Sequence, residues 1–133
     1  MEILVTNNPM VKERFQSGFR VDFIETDVPG ILTHTRNLIH KGHRLLTHPL
    51  SGSIKPNESL YKSILLSVVS ADVSANRQSV TEVQPATDVQ SVSIIEECIL
   101  TAQKFPPKNI PEKYIKDMQI VDLSLISTAL ENR

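Results

Sequence analysis

Tryptophan is absent and aromatic residues make up only 5% of the 133-residue chain. Stacked aromatic cages are therefore not expected, and the core has to be built from leucine, isoleucine and valine. The single cysteine, Cys98, excludes an internal disulfide and suits a reducing, cytoplasmic setting. No apolar run approaches the roughly 20 residues that cross a bilayer; residues 64–69 are about as long as such runs become, and no membrane span is expected. The chain begins with Met-Glu and a strand-like run, not with the charged and apolar regions of a secretory leader, which again points to the cytoplasm.

A dominant charge is missing too. With 14 basic and 15 acidic residues the net charge is −1, which gives no long-range field suited to nucleic acid. Neither phosphate fingerprint occurs: no G-x-G-x-x-G follows the first apolar run, and Ser51-Gly52-Ser53-Ile54-Lys55-Pro56 does not fit G-x-x-x-x-G-K-[ST]. No cofactor is expected.

What remains is a chain with 40% hydrophobic residues, enough for one core, so residues 1–133 are expected to form a single α/β domain. Residues 2–6, with Ile3, Leu4 and Val5, read as a buried strand, and Asn8 and Pro9 open a helix over 10–17 that ends at Gly18. A second strand is expected at 21–25. Asp27 and Pro29 then start a helix in which Val28, Ile31, Leu32, Leu38 and Ile39 keep helical spacing up to Gly42. Residues 44–47 read as a third strand, 49–60 as a loop and 63–69 as a fourth strand. The polar stretch 70–87 has no periodicity and reads as a flexible excursion. Val92, Ile95, Ile99 and Ala102 mark a helix over 88–104, stopped by Pro106 and Pro107. After Pro111 a last helix is favoured, although Val121, Leu123 and Leu125 alternate as in a strand.

Strands alternating with helices predict a three-layer, Rossmann-like fold with a mostly parallel sheet of about four strands and helices on both faces. Ligands of such sheets collect beyond the carboxyl ends of the strands, here residues 6–9, 26–29 and 47 onward. Residues 36–62 carry five cations against Glu58 alone, so this central part is electropositive. The loop His48-Pro49-Leu50-Ser51-Gly52-Ser53-Ile54-Lys55-Pro56-Asn57-Glu58 joins hydroxyls, a glycine and a lysine, the groups that hold a carboxylate or phosphate. Asn7, His48, Ser51, Ser53 and Lys55 are the candidate ligand-binding residues, weighed against a loop whose polar side chains only satisfy its own turns.

Other constellations carry less. His34, His40, His43 and His48 fall within fifteen residues, but 34 and 40 do not share a helix face, and no metal site is expected. Cys98 lies on an apolar helix stripe and reads as an inert core thiol. Ser51 or Ser53 beside His48 lacks the elbow and the third group of a hydrolase. No catalytic residue is assigned. The oligomeric state is left open.

The runs Val5-Thr6-Asn7-Asn8-Pro9, Leu38-Ile39-His40-Lys41-Gly42-His43 and Thr47-His48-Pro49-Leu50-Ser51-Gly52-Ser53-Ile54-Lys55-Pro56-Asn57-Glu58, with Tyr61-Lys62-Ser63 following, resemble the GrdX family. Leu60 stands where a proline is expected before the tyrosine. The resemblance implies a setting and no reaction: an accessory protein beside the glycine reductase system of amino-acid-fermenting anaerobic bacteria, which joins selenoproteins, thioredoxin-dependent reduction and acetyl phosphate formation. Glycine reductase components are the partners it implies. Three expectations follow: binding of a small anionic metabolite, a small enzyme using His48 as acid or base with Lys55 on the anion, or an interaction scaffold.

Overall fold

The computed structural model describes residues 1–50, 55–69 and 87–132. Ser51, Ser53 and nearly all of the excursion expected at 70–87 lie outside the described residues.

The first strand, β1 (Ile3–Thr6), is wholly buried and forms the centre of a three-stranded sheet in the order β2-β1-β3. Its chain turns at once into α1 (Pro9–Phe15), because Asn8 Oδ1 accepts the Met10 N–H at 3.0 Å and Pro9 needs no donor there. Strand β2 (Arg20–Phe23) returns parallel to β1. Helix α2 (Val28–His40) is capped by Asp27, whose carboxylate accepts the Gly30 N–H at 2.9 Å. Gly42 ends this helical stretch at φ 107°, a conformation that only glycine adopts without strain.

Strand β3 (Ser63–Leu66) pairs antiparallel with β1, Ile3 opposite Leu66 and Thr6 opposite Ser63. This corrects the Rossmann-like, mostly parallel sheet of about four strands expected from the sequence. The described sheet is small and mixed, and only β1 and β2 run parallel. A parallel return requires a crossover, usually a helix, whereas the described residues between 47 and 63 contain none, so the chain doubles back on itself.

The expected strand at 44–47 is also corrected. It touches the sheet through one bridge, Leu45 to Leu66. Leu46 N–H and Ser67 N–H bond to the carbonyls of Leu65 and Arg44 at 2.9 and 2.8 Å, but hydroxyls take the neighbouring ladder places. Leu65 N–H donates to Thr47 Oγ1 at 3.0 Å, and Arg44 N–H donates to Ser67 Oγ at 2.9 Å.

Helix α3 (Val89–Gln103) is capped by Asp88. A short 3-10 turn (Glu112–Tyr114) leads into α4 (Ile115–Glu131), which is the helix favoured for the last segment. The two faces of the sheet bury different elements. Ile3, Val5, Ile64 and Leu66 pack against α2 and α3 through Ile31, Leu32, Ile39 and Ile95. Leu4 and Leu65 pack against Val11 of α1 and Ile126 of α4. Because side chains alternate along a strand, Thr6 and Ser63 fall on the same side as Leu4 and Leu65, toward α4.

Gly42→Ala forces a Cβ into that left-handed turn and is expected to lower stability by about 1–2 kcal/mol, read from the urea midpoint. An unchanged midpoint would mean that the turn relaxes.

Candidate functional site

Where the α4 face of the sheet reaches its polar end, the sequence places hydroxyls in register. Thr6 Oγ1 and Ser63 Oγ lie 2.7 Å apart across β1 and β3. Ser63 Oγ donates to Asp122 Oδ2 at 2.7 Å, so the Thr6 hydroxyl must donate to Ser63, and Thr6 in turn accepts the Asn8 N–H at 3.0 Å. Asp122 sits on α4 one turn before Ile126, on its inward stripe, and is buried. The same Asp122 oxygen accepts from Asn8 Nδ2 at 3.0 Å, and that amide also donates to Gln119 O at 2.9 Å. One side chain, Asn8, thus caps α1 and clamps α4.

Asn7, a candidate from sequence, is spent on structure. Its Nδ2 donates to Thr26 O at 2.7 Å and Leu60 O at 2.8 Å, and its Oδ1 accepts the Lys62 N–H at 2.9 Å. All three bonds tie the end of β1 to the turn before α2 and to the entry of β3. They also fix the backbone of Lys62.

Lys62 is partly buried beside Asp122. Burial holds its ammonium below the ordinary lysine pKa, and the Asp122 carboxylate opposes that shift. Burial likewise raises the Asp122 carboxyl above its ordinary value, against the hydrogen bonds from Asn8 and Ser63 and the charge of Lys62. No ion pair within 4.0 Å joins Lys62 to a carboxylate among the described residues. The two groups are therefore neighbours without a direct bond.

Two recesses open on this pair. Lys55, Ser59, Tyr61, Lys62 and Asp122 line the first; Thr47, His48, Lys62, Ser63 and Asp122 line the second. The first offers about 10 Å3 to the centre of a water molecule and the second about 20 Å3, room for about one water each. Gln119 Nε2 holds the Tyr61 hydroxyl at 3.0 Å.

The sequence candidates divide accordingly. Lys55 lines the first recess, is exposed, and carries its ammonium 5.9 Å from the centre of the Phe105 ring. His48 lines the second; its Nδ1 accepts the Leu50 N–H at 3.1 Å. Asn7 stands behind both as a brace, and Ser51 and Ser53 lie outside the described residues.

Lys62, Ser63, Thr6, Asn8 and Asp122 were not singled out from sequence as site residues. Asp122 does carry a readable signal, a charged residue at helical spacing from Ile126 and Leu130.

Three of the four histidines have hydrogen-bond partners of their own, each in a different place. His34 pairs with Asp22 at 3.3 Å, His43 Nδ1 bonds Ser67 O at 2.7 Å, and His48 braces Leu50. Among the described residues no cluster of three His, Cys, Asp or Glu side chains could hold a metal. Cys98 is buried on α3, and burial pushes its thiol up to about 11, so at neutral pH it is not a nucleophile.

The shifts have signed consequences. A carboxyl raised on folding contributes most below its unfolded value near 3.8 and loses that contribution as pH rises through the folded value. Asp122→Asn keeps an acceptor for Ser63 and Asn8, so it is expected to remove a fall of at most about 1.4 kcal/mol per pH unit over that range, measured by urea melts at several pH values. For Lys62 the depressed value means that stability falls as pH drops below 10.5 toward the folded value. Lys62→Met is accordingly expected to raise the melting temperature at pH 7; a drop would identify Lys62 as a structural cation.

A family model described as GrdX-like protein matches residues 3–131, nearly the whole chain. No curated protein and no solved structure matches it. No helix among the described residues is long and apolar enough to cross a membrane. The match over almost every residue, covering β1, the Asn7-Asn8 junction, the 55–62 loop and α4, shows that the chain belongs to the GrdX-like family.

Proposed function

We propose that the protein is an accessory, ligand-binding component of the glycine reductase system, and that it holds a small anion at the first recess. The family supports the setting. The observation that carries the binding reading is Lys62, a partly buried cation that faces a recess without a carboxylate bonded to it. Burying a charge is unfavourable unless it is compensated, and an anionic ligand would supply the compensation. Lys55 on the rim adds a second cation, and Ser59 and Tyr61 add polar groups. Room for about one water admits one anionic oxygen beside Lys62, with the rest of the ligand outside toward Lys55. Glycine reductase components remain the partners that the family setting favours.

A catalytic reading has one observation in its favour: His48 lines the second recess together with Lys62 and Asp122. In that reading His48 is the acid or base, and turnover of acetyl phosphate would vanish in His48→Ala with the fold intact.

Thermal-shift titration with phosphate, acetate, acetyl phosphate and glycine separates the outcomes, since a ligand of the folded state alone raises its stability. The expected result is stabilisation by at least one anion, abolished in Lys62→Met and weakened in Lys55→Ala. Undiminished stabilisation of Lys62→Met would move the site elsewhere. A flat response of the native protein would favour a scaffold for protein partners.

A further inference from the structure

A second concavity lies between the start of α2, the 56–60 loop and the chain that leaves α3. It offers about 250 Å3, and Val28, Pro29, Leu60, Phe105, Pro107 and Ile110 give it apolar walls. A closed apolar cavity of about 150 Å3 already takes a benzene ring, so this groove has room for a ring without any movement of its walls. The charged residues on it are engaged within the protein. Lys108 pairs with Glu58 at 3.6 Å, and Asp27 Oδ1 accepts the Gly30 N–H at 2.9 Å. The groove therefore suits an apolar body and offers little to a charge.

This groove adjoins the recess at Lys62. Val28, Pro56 and Ser59 line both hollows. Lys55, which lines the recess, carries its ammonium 5.9 Å from the centre of the Phe105 ring, a wall of the groove. The recess admits one anionic oxygen and no more of a ligand than that. Neither Lys55 nor Lys62 pairs with a carboxylate within 4.0 Å among the described residues. A cationic end and an apolar end thus stand side by side, each lacking what the other holds.

Resting on the reading of Lys62 as an anion site, we propose that its ligand is an amphiphilic monocarboxylate, whose carboxylate lies at Lys62 and whose apolar body, about the size of a phenyl ring on a short chain, lies in the groove. A planar carboxylate presents one oxygen to so small a recess more readily than a tetrahedral phosphoryl group does. Asp122, on the wall of the same recess, disfavours a second negative charge there. Apolar burial supplies most of the affinity, and the lysines set the direction in which the molecule lies.

The probes are acetate, 3-phenylpropionate and 3-phenyl-1-propanol, titrated into the full chain at neutral pH and followed by 1H–15N correlation spectra. Acetate is expected to shift Lys62 alone, and 3-phenylpropionate to shift Lys62, Leu60 and Phe105 together. The aromatic acid should bind about tenfold more tightly than acetate, which corresponds to roughly half the burial of a phenyl side chain, and more tightly than the alcohol. Lys62→Met should reduce it to the level of the alcohol, and Leu60→Ala or Ile110→Ala should narrow its advantage over acetate. If 3-phenylpropionate binds no more tightly than acetate while acetate still shifts Lys62, this inference is overturned and the anion site stands. If neither acid shifts Lys62, the anion site fails and this inference with it. Binding of 3-phenylpropionate that Lys62→Met leaves undiminished breaks the link between the two hollows and overturns the inference as well.

Discussion

Asp122 is a carboxyl group placed where a helix would ordinarily present an apolar side chain. It takes hydrogen bonds from Ser63 on β3 and from Asn8 at the start of α1, and through Ser63 it is linked to Thr6 on β1. Three parts of the chain that are far apart in sequence, the β1–α1 junction, β3 and α4, thus meet around one acid. Remove it, and the Ser63 hydroxyl loses its acceptor while Asn8 Nδ2 keeps only Gln119 O. Packing of Leu4, Leu65 and Ile126 brings α4 to the sheet, but apolar contacts are non-directional. The polar contacts fix which residue of α4 faces the strand ends, and they place Lys62 beside the acid.

Under the proposed function the arrangement is a site more than a stabilising device. Burial raises Asp122 and lowers Lys62 without bringing them into a direct ion pair. A fold built only for stability gains little from such a pair, because desolvation offsets most of the attraction. Perturbed groups that converge on a recess at strand ends are the pattern of binding and catalytic sites. Structural networks also perturb pKa values, and Asn7 and Asn8 show how much of this junction is structural. What separates Lys62 from them is that the asparagines spend their side chains on hydrogen bonds, Asn8 in part on Asp122 itself, whereas Lys62 is held through its backbone N–H and its side chain lines the recess.

How much could be read beforehand follows from the same residues. Helix α2 was legible because the Asp27 cap, the Val28 to Ile39 periodicity and Gly42 agree. The direction of β3 was missed although its cause was visible: the loop after residue 47 has no helical pattern, and a return without a crossover runs antiparallel. The strand expected at 44–47 failed through Thr47 and Ser67, whose hydroxyls replace ladder bonds that no periodicity can foresee. In α4 the alternation of Val121, Leu123 and Leu125 suggested a strand, but the three do not share a face: Val121 and Leu125 are 42% and 40% exposed, whereas Leu123 packs with Ile126 toward the sheet and Asp122 is buried. Lys55 and His48 do border the recesses, but Lys62 was overshadowed by the loop before it.

The central claim, that Lys62 is a charge held under tension beside Asp122, is tested most directly by titrating the lysine side chains by NMR. The account predicts that Lys62 titrates below 10.5 and that it falls further in Asp122→Asn, where the opposing carboxylate is gone. A Lys62 that titrates at 10.5 or above and ignores the substitution would contradict it.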